Sequence, residues 1–389
     1  MSLTATKPEE YLRKKKESAS NEEGAAKWRR LEEQYTKKLW HPLTQTLISY
    51  VTDPEFCKSV SLHELFREFI DDFKHRINSL ALSQVSLIIS KTIEDRVQAE
   101  AFLKDILQTV KNNKEAVILC RTGIVELRLT EKDANRRCVH IEQVAKELQE
   151  LERSIDELEG ISPVHGPFYK LSATYRREIG DHAAFYRDAL RYLGCVEFST
   201  VEDKPMWAIC LSVAALLAPD VYNFGELLAQ PIVSVMRGTA EEWMVELLEA
   251  VNAGDIATFE RLRPQLRSKL DLHRSEGVIL EKTRLLCVME MGFEQRSQSN
   301  ELKFADVAKR ARIAENDVEM LVMKALSVGL IRGSINQVLK TVTISWIQPR
   351  VLNKAQISTL AGTFDSWTKS VGLLADLVEK NAAALIVTH

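Results

Sequence analysis

The sequence predicts a mainly α protein: an irregular, TPR-like helical-repeat solenoid, then a winged-helix module, then one long C-terminal helix. Three observations lead there. The 389 residues hold only 15 glycines and 10 prolines, and so few chain-breaking residues favour long helices over many strands. Apolar residues recur at steps of three and four through most of the chain, the spacing that gathers them on one helical face. Short strand-like runs flank a polar turn only late, between Ile331 and Trp346.

Residues 1–24 are polar and carry the basic run Arg13 to Lys16, so they are expected to form a flexible tail. A helical-repeat array is expected over 25–178. Trp28, Leu31, Tyr35 and Leu39 make a first stripe, and Leu62, Leu65, Phe66, Phe69, Ile70 and Phe73 a second. Asp53-Pro54 and Asn112-Asn113 mark turns. None of these helices can bury its stripe alone, so antiparallel neighbours must stack. Arg128 to Leu158 reads as one long charged helix with its seam at Ile141, Val144, Leu148, Leu151, Ile155 and Leu158, ended by Gly160 and Pro163. A further helical stretch is expected over 179–299. Met206 to Leu217 is apolar nearly all round and predicts a buried helix. Val278 to Phe293 does the same.

The winged helix is expected over 300–347. Phe304, Val307, Ala308 and Ala311 stripe its first helix, and Val318, Leu321, Val322, Ala325 and Leu326 its second. The connection at Arg312-Ile313-Ala314 is short, as in a helix-turn-helix. Gly329 is placed to cap the second helix. Ile331–Ile335 and Val342–Trp346 are the expected strands, with Asn336 to Lys340 as their turn. Such a module invites a DNA-binding reading, in which the start of the second helix enters the major groove. Here that start carries Glu315, Asp317 and Glu319, and carboxylates repel phosphates. The segment reads instead as a protein-docking surface.

The last helix is expected over 353–387. Its apolar positions are Ile357, Leu360, Phe364, Trp367, Val371, Leu374 and Val378, followed by Asn381 and Leu385. Steps alternating between three and four are a heptad seam. Gly362 and Gly372 each cost about 1 kcal/mol against Ala, so the seam needs partner helices. Together with Val342, Ile344 and Trp346 of the outer wing strand, these seven apolar positions from Ile357 to Val378 are the expected protein interface.

The net charge is −3, which excludes a globally basic nucleic-acid binder. Cys57, Cys120, Cys138, Cys195, Cys210 and Cys287 are scattered with no close pairs, as expected of reduced thiols. The longest apolar run, near Ala208 to Ala218, is far shorter than the ~20 residues a bilayer span needs. No signal peptide is read at the start, so an intracellular protein without membrane partners is expected. The histidines are dispersed, and no nucleotide, zinc-hydrolase or nucleophile-elbow motif occurs. No enzyme activity, cofactor or metal is expected.

The helical array, winged helix and terminal helix together resemble the PCI-domain family, which supplies subunits to the proteasome lid, the COP9 signalosome and a translation initiation factor complex. Tyr35 to His41, Phe185 to Cys195, Asn223 to Leu228, Leu321 to Leu330 and Trp346 to Leu352 are similar to its proteasome-lid branch. The resemblance groups 179–347 as a PCI domain. It implies a scaffold whose partners are other PCI-domain lid subunits and, through a helical bundle, the lid deubiquitinase, with the ATPase base reached indirectly. It further implies a cytoplasmic and nuclear location. The signalosome and the initiation factor are the alternative settings. A winged-helix nucleic-acid binder is a third.

Overall fold

Asparagine and aspartate side chains start many of the helices. Asn78, Asp95, Asn113, Asp181 and Asp255 each accept a hydrogen bond from a first-turn backbone N–H that the helix leaves unpaired. The computed structural model describes residues 8–17, 22–53, 56, 60–131, 138–295, 301–351 and 354–386. Pro54, Cys57, Leu352 and the side chains of Asn381 and Leu385 lie outside the described residues. The chain forms two compact units, residues 1–200 and 201–389.

The first unit is built of helices, apart from an isolated bridge residue at Cys138. Its helices are α1 (Pro8–Glu17), α2 (Glu22–Thr36), α3 (Trp40–Val51), α4 (Leu62–Leu65), α5 (Asp71–Phe73), α6 (Ser79–Thr92), α7 (Arg96–Thr109), α8 (Lys114–Leu129), α9 (Ile141–Asp156), α10 (His165–Ile179) and α11 (His182–Cys195). A π-turn, Phe66–Ile70, joins α4 to α5. The second predicted stripe is all buried there, and Phe69 and Phe73 pack with Tyr35 in one aromatic cluster.

Two expectations for this unit need correction. Part of the supposed flexible tail is α1, because Tyr11 and Leu12 give it an apolar pair to bury. Tyr11 meets Trp28 edge-on, and Leu12 is almost wholly covered. The expected long helix from Arg128 to Leu158 is two helices. Arg128 belongs to the end of α8, where its guanidinium lies between Glu100 and Glu147. The seam at Val144, Leu148, Leu151 and Ile155 is buried as expected, but in the separate helix α9.

The second unit begins with α12 (Lys204–Leu217), α13 (Phe224–Ala229), α14 (Pro231–Ser234), α15 (Glu242–Ala253), α16 (Ile256–Leu266), α17 (Leu270–Arg274) and α18 (Glu276–Gln295). The winged module follows as β1 (Glu301–Lys303), α19 (Phe304–Ala311), α20 (Val318–Ser327), β2 (Ile331–Asn336) and β3 (Thr341–Ile347). Gly329 has φ +80°, and the amides of Gly329 and Leu330 return to Leu326 and Ala325, which closes α20 as expected. Long α18 is the floor of the module and packs against α19, α20, β1 and β3. Finally α21 (Lys354–Ile386) is a single helix of 33 residues, about 50 Å long.

The sheet has three antiparallel strands, not two, in the order β1-β3-β2. Strand β1 was not legible because it has only three residues. Its partner lies some forty residues on, with Glu301 opposite Thr343 and Lys303 opposite Thr341. This puts β3 in the middle of the sheet, so the strand expected on the outside has both edges paired.

Candidate interaction surfaces

The three predicted wing residues do not share one surface. Val342 and Ile344 are buried, and Ile344 packs onto α18 at Gly292. Alternation along β3 sends these side chains into the module's own core. Trp346 is half-buried, with the Arg332 guanidinium 4.7 Å from its ring centroid. What the wing exposes is its tip. Val338 is 93% and Leu339 70% exposed. Both sit in the turn that read as polar, and two adjacent aliphatics in a hairpin turn were the signal available. The outer face of α20 adds exposed Met320 and Met323.

The seven seam positions of α21 are all exposed, from 42% at Leu360 to 67% at Leu374. Leu373 and Leu377 are exposed beside them and widen the strip in the second half of the helix. Every described side chain of α21, from Ile357 to Lys380, lies in solvent. A strip this long and apolar is unusual on a free surface.

The base of that helix is fastened to the body. The Gln348 amide donates to the Leu330 carbonyl at 2.8 Å. Arg350 donates through Nη1 to the Asn252 carbonyl at 3.0 Å and pairs with Glu290. Both charged side chains are nearly buried, at 8% and 12% exposed, and burial holds the Arg350 pKa below its ordinary value. The Val351 amide donates to Asn223 Oδ1 at 3.4 Å. A Cβ on Gly225 would stand 2.9 Å from the Val351 carbonyl oxygen, so only glycine lets the linker lie this close. Two of the runs that carried the family resemblance, Asn223 to Leu228 and Trp346 to Leu352, therefore meet here.

The module's cations are largely spent on neighbouring carboxylates. Arg310 pairs with Glu294, Arg312 with Glu260, Lys324 with Glu281 and Lys340 with Glu315. Glu294 is held below the usual carboxylate range by the Arg310 hydrogen bond. Such pairing reduces the positive charge offered to a phosphate backbone, with Lys303, Lys309 and Arg332 remaining. Among the described residues, no three His, Cys, Asp or Glu side chains come together as a metal site. No described helix is long and apolar enough to cross a membrane. The five described cysteines are free thiols.

Comparison with known proteins agrees with this geometry. A family of PSD13 N-terminal repeats matches residues 27–248, and the PCI domain matches residues 260–346. The 26S proteasome non-ATPase regulatory subunit 13 homolog B of Arabidopsis thaliana is 33% identical, over 90% of this chain and 92% of that protein. The 26S proteasome regulatory subunit RPN9 of Saccharomyces cerevisiae is 29% identical, over 91% of this chain and 92% of that protein. The eukaryotic translation initiation factor 3 subunit M of Dictyostelium discoideum is 26% identical, over 44% of this chain and 43% of that protein.

Proposed function

The chain belongs to the PSD13 family of PCI-domain proteins, and from that premise we propose its role: a non-catalytic structural subunit of the proteasome lid that supports lid assembly and ubiquitin-dependent protein degradation. The observation that carries this reading is α21, whose apolar strip is uncovered along its described length. Burying each large side chain there contributes about 1.5–3 kcal/mol, so partner helices gain most of what the isolated helix lacks. Its partners are other PCI-domain subunits of the regulatory particle, and the lid deubiquitinase joins through the same bundle. The ATPase base is reached indirectly. The division of labour is a repeat array over 25–178, a PCI domain over 179–347 and a bundle helix over 353–387. The protein acts in the cytoplasm and nucleus.

Two regions take the contacts, and they differ from a simple wing edge. Trp346 and the exposed wing tip offer one. The strip from Ile357 to Val378 offers the other. Val342 and Ile344 act by holding the module rigid beneath them.

Removing residues 354–389 tests the reading. The truncated chain should unfold at an unchanged denaturant midpoint, since the described tail side chains are already in solvent, yet be absent from the lid on native gels. Phe364→Ala with Trp367→Ala should weaken incorporation by at least about tenfold without altering stability. Normal incorporation of the truncated chain would overturn the proposal. The initiation-factor relative covers less than half of the chain. Mass spectrometry of co-purifying proteins separates the two settings, because proteasomal ATPases accompany only a lid subunit.

A further inference from the structure

A groove of about 350 Å³ runs between α3 and α6 in the first unit. Half-buried Trp40, Ile48, Ile77 and Leu80 line it beside polar Thr44, Gln45, Asn78 and Gln84. Exposed Arg76 and His41 also line it. Trp40 is held rigidly. Phe73 stacks against its ring at 5.6 Å, and the Arg76 guanidinium lies 5.3 Å from its centroid.

Positive charge gathers near Trp40. Lys37 and Lys38 form the exposed turn just before Trp40, and Arg76 is exposed. None of the three makes an ion pair among the described residues. Of the two nearby acids, one is ion-paired among the described residues and one is not. Asp72 accepts from the Tyr35 hydroxyl at 2.7 Å, and Lys74 pairs with Asp71 at 2.8 Å. A hydroxyl donor leaves Asp72 charged, so Lys37, Lys38 and Arg76 stand against one uncompensated carboxylate beside a part-apolar slot.

From this placement we propose that the groove binds a short extended acidic peptide segment of another protein, with one aliphatic side chain seated against Trp40 and Ile77 and carboxylates facing Arg76 and Lys38. Charge complementarity selects the acidic partner, and the apolar part of the lining selects the aliphatic anchor. Trp40 to Ile48 spans about 12 Å along α3, room for about three or four extended residues. A single-stranded nucleic acid fits less well. It needs free aromatic faces for base stacking, and Phe73 already stacks on the Trp40 ring. The inference is independent of the lid assignment, since it concerns neither the wing nor α21.

The test is fluorescence anisotropy on the full chain with a fluorescein-labelled peptide alternating glutamate and leucine. Two controls are a peptide with lysine for glutamate and a labelled oligouridine. The acidic peptide should bind with a Kd of about 10–100 μM. Arg76→Glu with Lys38→Glu should weaken it at least about tenfold, and the lysine peptide should not bind the parent chain. Trp40→Ala should abolish binding, and the double charge reversal keeps the test decisive if that variant does not fold. Absent binding of the acidic peptide, equal binding by the charge-reversed chain, or tighter binding of oligouridine would each overturn the proposal. Lid incorporation of the charge-reversed chain should stay normal, which separates this outcome from that of the tail truncation.

Discussion

Lys282 lies buried in α18 and reaches the end of α12. Its Nζ donates to the carbonyls of Ala215 at 2.9 Å, Leu216 at 3.3 Å and Ala218 at 2.6 Å. The rings of Tyr222 and Phe224 lie 5.4 and 5.3 Å away. A helix C-terminus presents carbonyls without partners and the negative end of its dipole, so one ammonium satisfies several acceptors together. Burial still pulls the Lys282 pKa down to about 7 from 10.5. Between those two values the unfolded chain holds a proton that the folded chain has lost, so stability rises with pH across that window. Lys282→Met should lower stability by about 3 kcal/mol, through unpaired carbonyls, and flatten the rise. Urea midpoints of both chains at neutral and mildly alkaline pH check this. In the sequence Lys282 was hidden within an apolar run. The signal was its position three residues after Ile279 and four before Leu286, on the core-facing side.

At the scale of elements, the linker between β3 and α21 decides where the terminal helix begins. Arg350 and Glu290 are a nearly buried pair, and removing one partner strands the other. Arg350→Ala should cost about 3–5 kcal/mol in chemical denaturation. It should also reduce incorporation into the lid, although α21 itself is untouched. A loss of stability with full incorporation would mean that the linker does not aim the helix. The helices themselves were largely legible, because three-and-four spacing is written locally. The strip from Ile357 to Val378 was legible for the same reason. The break after Leu129 was not, because no Gly or Pro lies between Arg128 and Leu158. The middle position of β3 was also illegible, since it depends on a short strand distant in sequence.

At the scale of the whole molecule, the chain divides into units at residues 200 and 201, whereas the sequence reading placed its boundary near 178. Helix α10 ends at Ile179, but α11 continues the same packing, with Phe185, Tyr186 and Ala189 buried. A periodic stripe says that a helix buries one face. It does not say which neighbour covers it. Residues 1–200 and 201–389 expressed separately should each give helical far-UV circular dichroism and a cooperative unfolding transition. A piece without such a transition would show that it folds only with the other. The candidate interface was legible in part. Seven tail positions were readable from spacing, while the wing tip was missed and two wing residues proved to be core.

The uncovered strip on α21 also bears on the life of a surplus copy. A molecule made without enough neighbours keeps Phe364, Trp367 and the leucines around Leu374 in water. Chaperones and degradation factors recognise exposed apolar chain of this kind. Where incorporation buries the strip, as proposed, the same residues that join the complex also report that joining is unfinished. The cell can then match the amount of this subunit to that of its neighbours without a separate signal.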